Sequence, residues 1–202
     1  MTKNIHLALR HVLTLMLTLV CCLQVSAAND FDTFMQRIRK DARRNPNVEK
    51  WLKLYDAEKG SFNDIDYSRN DITNWPPQKH LERLEDWVAA YINEKNKHYG
   101  DETLADNIIK ALQFWQDRDP NCKNWWFNQI AEPQALGIIL IQMRAGKKQV
   151  PQQLEAAILK RMLTDGGDPA KWTGANRTDI CLHWIYRSCL ESNEKDMQTA
   201  MQ

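Results

Sequence analysis

Glycine and proline are scarce in this chain of 202 residues, with seven of each, and runs of β-branched residues are few. Because turns rely on glycine and proline and strands favour β-branched residues, this composition argues against a β-rich fold. Charge of either sign is not in excess, since 27 lysines and arginines stand against 26 aspartates and glutamates. Such a chain lacks the general basic surface that binds nucleic-acid backbones. We therefore expect a helical protein that does not bind nucleic acid.

Cysteine is also rare, and the five that occur do not form a disulfide framework. Cys122, Cys181 and Cys189 are an odd number, so they cannot all pair with one another. Cys181 and Cys189 fall two turns apart on one predicted helix, about 12 Å by helical rise, which is too far for a bridge. Cys21 and Cys22 leave a lipoprotein as an alternative, although the preceding residues make a poor lipid-attachment site.

Metal-binding patterns are missing as well. The histidines beyond the N-terminal region are scattered, and each is interpreted as structural or exposed: His80, His98 and His183. The stretch 64–68 resembles the start of a calcium loop, but it lacks the glycine and the terminal glutamate that such a loop needs. We expect neither a metal nor another cofactor.

One long apolar run occurs, near the N-terminus, over Val12–Leu23. It follows basic residues and precedes small residues at 25–27, which is the pattern of a secretory signal peptide. The run is too short for a membrane span, which needs about 20 residues. We therefore predict a signal peptide over residues 1–27, a domain over residues 28–202, and a secreted or periplasmic location.

Apolar residues recur at helical spacing along the rest of the chain. The predicted helices are Phe31–Ala42, Val48–Tyr55, Gln78–Asn96, Glu102–Arg118, Pro133–Arg144, one that begins at Pro151, and Arg177–Glu191. Between the second and third of these, Lys59–Trp75 is interpreted as irregular. Successive hairpins without strands predict an all-α fold of stacked antiparallel helical hairpins, as in a solenoid or an α/α toroid.

The short connection between Gln78–Asn96 and Glu102–Arg118 predicts that these two helices are antiparallel and in contact. Trp87 and Trp115 should then be buried between them. After Ser192 the sequence is polar, and no further helix is expected.

Two adjacent tryptophans mark the most distinctive stretch, Asn124–Ile130, in a chain with eight tryptophans overall. Neighbouring side chains on a helix point roughly 100° apart, so Trp125 and Trp126 cannot both enter one core. One can be buried, and the other should line a groove or pack under a loop. In a groove, its flat ring beside amide donors such as that of Asn124 suits a sugar. The simpler alternative is that both tryptophans are core residues, since large aromatics supply much buried area.

A second stretch, Lys171–Asp179, surrounds Gly174 and Asn176. Asn176 is expected just ahead of a helix, where asparagine is an ordinary N-cap residue. Thr178 or Asp179 offers the same capping function. Helix capping is therefore the simpler interpretation of this stretch.

Together these stretches resemble polysaccharide lyase family eight, the chondroitin AC, hyaluronate and xanthan lyases. The residues that carry the resemblance are Asn124-Trp125-Trp126, Gln129-Ile130, Pro133, Thr173-Gly174-Ala175-Asn176 and Asp179. The likeness runs from about Phe31 to Glu191, the N-terminal part of the family's α/α toroid domain. Gln129 stands where many members have glutamate, and Ala131 where many have glycine.

The resemblance implies a glycan cleft in which Trp125 and Trp126, beside Asn124, stack against the sugar chain. It implies that Asn176 is a catalytic residue, which hydrogen-bonds the uronic-acid carboxylate at the cleavage subsite. β-Elimination removes the proton on C5, and a neutral donor stabilises the charge that develops on that carboxylate. The expected ligand is an acidic polysaccharide such as chondroitin or hyaluronan. Asn176 and one of the tryptophans should face one groove.

In the family, a histidine and a tyrosine that follow the asparagine motif transfer the protons. His183 and Tyr186 do not match those positions. We therefore expect a truncated lyase that is inactive alone, with a separately encoded downstream half as a candidate partner. One alternative is a non-catalytic carbohydrate-binding module of the cell envelope, and another is an unrelated exported helical protein.

Overall fold

A computed structural model describes residues 30–42 and 46–202. The predicted signal peptide, residues 1–27, lies outside the described residues. Eight α-helices occur in the described part of the chain: α1 (residues 30–40), α2 (Val48–Leu52), α3 (Gln78–Ile92), α4 (Glu102–Arg118), α5 (Glu132–Met143), α6 (Gln152–Thr164), α7 (Gly174–Glu191) and α8 (Glu194–Met201). Within those same ranges, no helix combines the length and the apolar character that crossing a bilayer requires.

The predicted hairpin is formed by α3 and α4. At one end the ring of His80 is 3.1 Å from the carbonyl oxygen of Ala111, and at the other the N–H of Gly100 donates to the carbonyl oxygen of Tyr91. The end of α3 therefore lies at the connection to α4, and its start lies beside the second half of α4, so the helices are antiparallel. Trp87 and Trp115 are fully buried. The predicted contact and the two buried tryptophans are confirmed.

The centre of the fold is α5, which contacts α3, α6 and α7. Its buried side chains lie on every side of the helix, as its nearly continuous apolar sequence requires. At Gly137 the neighbouring helix approaches closely, since a Cβ atom added there would lie 2.7 Å from Cβ of Tyr186. The all-α architecture of stacked hairpins is confirmed.

The prediction of a helix over Val48–Tyr55 is partly wrong, because α2 ends at Leu52 and a short β-hairpin follows. The strand β1 (Tyr55–Asp56) pairs antiparallel with β2 (Ser61–Phe62), and only β2 lies inside the stretch Lys59–Trp75 that was expected to be irregular. Tertiary contacts favour the extended backbone here. The Tyr55 hydroxyl donates to the carbonyl of Asn107, and its ring meets that of Trp87 at 4.9 Å.

The expectation that no helix follows Ser192 is also wrong. The chain turns at Ser192, which has φ +53°, and then forms α8. The side chain of Asn193 caps this helix by accepting from the N–H of Asp196. Arg187, buried on α7, bonds to Glu191 and Asp196, so the polar sequence of α8 is held by charged groups.

Side chains in the middle of α7 are less buried than those of the α3–α4 hairpin. Trp184 and Ile185 are half-buried, whereas Trp87 and Leu112 are fully buried. Trp184 nevertheless has a fixed position, because its indole N–H donates to the carbonyl oxygen of Gly167 at 2.9 Å.

Two glycines with positive φ allow a matched test of backbone strain and packing. A Cβ at Gly60 (φ +79°) would lie 2.7 Å from the carbonyl oxygen of Lys110, whereas a Cβ at Gly174 (φ +59°) would meet nothing within 4 Å. We predict that Gly174→Ala lowers the free energy of unfolding by about 1 kcal/mol and Gly60→Ala by about 2–4 kcal/mol. Urea denaturation measures both, and equal losses would contradict the packing argument.

Candidate functional site

The tryptophan pair lies at the start of a helix that continues into α5. Helical structure begins at Trp125, passes through a π-helical segment over Phe127–Ala131, and joins α5 without a break. Asn124 fixes this start, because its side-chain oxygen accepts from the N–H of Trp126 at 3.1 Å and its amide donates to the carbonyl of Ile72 at 2.9 Å. The helix predicted from Pro133 therefore begins eight residues earlier.

Both tryptophans reach the surface. Trp125 is 37% exposed and Trp126 is 40% exposed, so the alternative in which both are core residues is wrong. The Trp126 ring meets the Phe127 ring edge to face at 5.3 Å, and Phe127 packs in turn against the buried Trp75 at 5.6 Å. The exposed indoles thus stand on a packed aromatic base.

A third tryptophan joins the two motif stretches. The Trp125 ring stacks on the Trp172 ring with 4.2 Å between centroids and 24° between planes. Trp172 lies four residues before Asn176, so this stack brings the second stretch beside the first. Sequence reasoning assigned no role to Trp172, although an aromatic residue just ahead of the Thr-Gly-Ala-Asn run was a visible signal.

Hydrogen bonds hold the same two segments together. In an α-helix the carbonyl of Gln129 would accept from the N–H of residue 133, but Pro133 has none. That carbonyl accepts instead from the N–H of Gly167 at 2.9 Å. One turn further, the amide of Gln134 donates to the carbonyl of Asp179 at 2.7 Å. The start of α7 is therefore fixed against the helix that carries the tryptophans.

Asn176 lies inside the first turn of α7, which begins at Gly174. It is therefore not the N-cap residue, and the N-cap position, Thr173, makes no side-chain capping bond. The Thr178 hydroxyl donates back to the carbonyl of Gly174 instead of accepting from a free N–H. The capping interpretation of Asn176 and Thr178 is wrong. The half-exposed Asn176 side chain, on the first turn, has an amide that a ligand can use.

A buried charged cluster supports the tryptophan helix from below. Arg161 of α6 donates to the carboxylate of Glu132 at 2.6 Å, to the carboxylate of Asp119, and to the carbonyl of Pro120 at 3.2 Å. The indole N–H of Trp115 donates to the same Glu132 oxygen at 3.0 Å. These contacts tie the end of α4 and the following turn to the start of α5.

The loop between α4 and the tryptophans has a second set of ties. The N–H of Cys122 donates to the side-chain oxygen of Asn128 at 2.9 Å, and the Asn128 amide returns a bond to the carbonyl of Cys122 at 2.7 Å. The thiol donates to the carbonyl of Asp71. Cys122, Cys181 and Cys189 are all free thiols, so the expectation that Cys181 and Cys189 do not bridge each other is confirmed.

Comparison with known proteins shows the family. Residues 19–202 match the model of a domain described as "Polysaccharide lyase family 8, N terminal alpha-helical domain". The chain belongs to polysaccharide lyase family 8. The chondroitinase-AC of Pedobacter heparinus is similar to this family-8 chain, with 46% identity over 161 residues, which are 79% of the chain and 23% of that protein.

Solved structures give the same result. One similar structure is a chondroitinase AC lyase that was solved in complexes with oligosaccharides. The match covers 86% of this family-8 chain and 26% of the lyase chain, with 40% identity and a TM-score of 0.79. Its α/α toroid is the fold to which these helices correspond. The xanthan lyase of Paenibacillus shares the fold alone. Its identity is 18% and its TM-score 0.58, and the match covers 87% of this chain and 16% of the xanthan lyase chain.

The chondroitin AC lyase of Streptomyces coelicolor A3, solved with chondroitin sulphate, also shares the fold alone. Its identity is 19% and its TM-score 0.58, over 85% of this chain and 26% of its own. This family-8 chain spans about a quarter of the length of the chondroitinase relatives that it matches.

The three histidines that the structure describes in this family-8 chain are poor candidates for a catalytic base. Burial lowers the pKa of His80 to about 3, and the ring lies between the Tyr67 hydroxyl and a backbone carbonyl. Burial, followed by the charge of Arg187, lowers the pKa of His183 to about 4. His98 lies beyond the end of α3 and contacts Glu49 and Asp101.

Tyr186, the other residue weighed for proton transfer, lines a small cavity with Gln142 and Ile38. Burial is the main cause that raises the pKa of its hydroxyl. Over residues 30–42 and 46–202, no group of three or more histidines, cysteines or carboxylates is placed to hold a metal ion.

Removal of Arg161 tests the buried cluster. Arg161→Met leaves the carboxylate of Glu132 without its cationic partner in a site where Glu132 is only 4% exposed. We predict that the free energy of unfolding falls by about 3–5 kcal/mol in urea denaturation. The matched control is Lys160→Met, the exposed neighbour on the same helix, which should change stability by less than about 0.5 kcal/mol. Similar losses in both variants would show that the buried Arg161–Glu132 pair contributes no more to stability than an exposed lysine does.

The two buried histidines predict an acid dependence of stability. Their folded pKa values lie below the unfolded value of about 6.5, so the unfolded chain binds more protons as the pH falls below that value. Stability is therefore fully present above pH 6.5 and is lost towards pH 4. We predict a loss of roughly 2 kcal/mol per histidine between pH 7 and pH 5. His80→Gln should reduce the pH slope, and an unchanged slope would refute the assignment.

Proposed function

We propose that this chain forms one wall of the glycan cleft of a family-8 polysaccharide lyase. Trp125 and Trp126 stack against the sugar chain, Asn124 holds the start of their helix, and Asn176 hydrogen-bonds the uronic-acid carboxylate. The observation that carries the proposal is the stack of Trp125 on Trp172 at 4.2 Å, which joins the aromatic stretch to the stretch that contains Asn176. Exposed, fixed aromatic rings beside an uncommitted amide match a ring-shaped acidic ligand.

The reaction explains why an amide is suitable at position 176. β-Elimination removes the C5 proton of the uronic acid, and negative charge spreads onto the adjacent carboxylate oxygens. A neutral donor aimed at those oxygens stabilises that charge without first pairing with it as a fixed cation would. Two relatives named as chondroitinase AC, with 46% and 40% identity, favour a chondroitin-type polysaccharide as the ligand.

Proton transfer needs groups that the described residues do not offer. His80 and His183 are buried with depressed pKa values, and His98 is engaged with two carboxylates. We therefore propose that this chain binds the glycan but does not cleave it alone. The base and the acid would come from the remainder of a family-8 lyase, supplied by a longer chain or by a separately encoded downstream half. The predicted signal peptide over residues 1–27 supports action outside the cytoplasm.

A second candidate function is a carbohydrate-binding module of the cell envelope that never joins a catalytic partner. The exposed tryptophans with no usable histidine beside them favour it. A complementation assay separates the two functions. If the remaining segment of a family-8 lyase restores cleavage when added to this chain, the first is supported; if it never does, the module is favoured.

Binding itself is the first prediction from this proposal. One wall of a cleft should bind weakly, so we expect chondroitin oligosaccharides to bind with a dissociation constant on the order of millimolar, or about −4 kcal/mol. Trp126→Ala should abolish binding in a calorimetric or fluorescence titration. Asn176→Ala should weaken binding of uronic-acid glycans more than that of neutral glycans, because it removes a donor to the carboxylate.

Tyr99→Ala is the matched control for Trp126→Ala. Tyr99 is also an exposed aromatic residue, but it lies beyond the far end of α3, a helix of 15 residues and thus about 22 Å long. Its removal should leave glycan affinity unchanged. Equal effects of the two variants would indicate nonspecific binding of the glycan to exposed aromatic side chains, and not binding in a cleft. Unsaturated product formed from chondroitin by the wild-type chain alone would contradict the proposed lack of a base.

A further inference from the structure

A groove borders the Phe127 ring. We call it the Phe127 groove, and the residues that matter for its chemistry are Thr73, Asn74, Gln78, Lys79, Glu82 and Phe127. It is formed by the turn before α3, the first turns of α3 and the side chain of Phe127. Its lining combines polar side chains with apolar surface, to which Trp75 also contributes.

The groove is continuous with the tryptophan pair. The Phe127 ring lines the groove and also contacts the Trp126 ring at 5.3 Å, with 83° between the ring planes. Phe127 also packs on the buried ring of Trp75, which lines the same groove. The two rings that contact Phe127 therefore connect the tryptophan pair to the groove.

The polar groups of the groove suit a sugar rather than an apolar ligand. Thr73 and Asn74 are exposed and carry a hydroxyl and an amide. The side-chain oxygen of Gln78 is buried and has no hydrogen-bond partner among the described residues, although it belongs to a residue that lines the groove. The N–H groups of Gln78 and Lys79 already donate to backbone carbonyls, so the binding groups are side chains.

Two opposite charges flank the groove, and they determine which charge on a ligand is attracted and which is repelled. Lys79 and Glu82 both line it and are both exposed. The nearby carboxylate of Asp64 is neutralised by a two-point contact with Arg83, at 2.6 Å for each bond. Lys79 is therefore the group that attracts an acidic sugar, and Glu82 is the group that repels it.

We propose that the Phe127 groove binds the saccharide units that follow those stacked on Trp125 and Trp126, with Lys79 facing a carboxylate or sulfate of the chain. The inference rests on the proposed function, since it extends the same cleft. Its ligand is an acidic oligosaccharide longer than the tryptophan pair alone accommodates. Lys79 and Glu82 thus become specificity residues for chain length and charge.

The test compares a chondroitin octasaccharide with a tetrasaccharide by calorimetric titration at low salt. Lys79→Met should weaken octasaccharide binding by about threefold, within the range of an exposed charge pair, and Glu82→Gln should strengthen it by a similar factor. Tetrasaccharide binding should change much less in both variants. Both effects should shrink at 0.5 M salt, since exposed charges are then screened.

Lys160→Met is the matched control, because it removes the same charge from an exposed position on α6. Opposite signs for Lys79→Met and Glu82→Gln are not expected from a loss of folding. If the wild-type chain binds neither oligosaccharide, the proposed function itself fails. If the wild-type chain binds both, and the variants of Lys79 and Glu82 bind the octasaccharide as the wild type does, saccharide binding in the Phe127 groove is refuted. Glycan binding at the tryptophan pair is then unaffected.

Discussion

The arrangement of the candidate site depends on one missing N–H group. Pro133 cannot donate to the carbonyl of Gln129, and a π-helical segment precedes the proline where the ladder is disturbed. The loop before α7 fills the gap with the N–H of Gly167. Because that loop also carries Trp172, the same bond that satisfies Gln129 sets Trp172 within reach of Trp125. A local defect in one helix thus aligns two segments that are distant in sequence.

A buried cationic side chain, Arg161, stabilises the alignment of these two segments. Arg161 reaches from α6 to Glu132, at the first residue of α5, and to Asp119 at the end of α4. Three helices therefore meet at one guanidinium group, directly behind the loop that leads to the tryptophans. The desolvation of Arg161 and Glu132 is compensated only while the two remain paired, whereas Asp119 meets the guanidinium group from the surface. The buried pair therefore favours one arrangement of the loop over alternatives.

Much of the fold followed from apolar spacing, and the exceptions have physical causes. The α3–α4 hairpin was predictable because the stripe that includes Trp87 repeats over more than four turns. The β-hairpin after α2 was not, since two-residue strands carry no periodic signal and depend on the contact of Tyr55 with α4. The helical start at Trp125 was hidden by Pro133, which normally marks a first turn.

The candidate site was predictable in its residues and less so in its construction. The motif stretches identified Trp125, Trp126 and Asn176, but the assignment of Asn176 as a cap failed because α7 begins at Gly174. Their roles in binding and catalysis stay predictions. Trp172 escaped notice because a stack between residues 47 positions apart leaves no trace in local spacing. The Phe127 groove was equally invisible, since its walls come from two separate segments.

The stack of Trp125 on Trp172 also has an optical consequence. Two indole rings 4.2 Å apart at a fixed angle of 24° act as coupled chromophores, because their transition dipoles interact at that distance. The pair should contribute a split signal to the ultraviolet circular dichroism that isolated tryptophans do not give. Trp75 and Trp115, whose rings are 5.9 Å apart, form a second coupled pair, so the part of the split signal that Trp172→Phe removes is the part that reports the junction between the two motif segments.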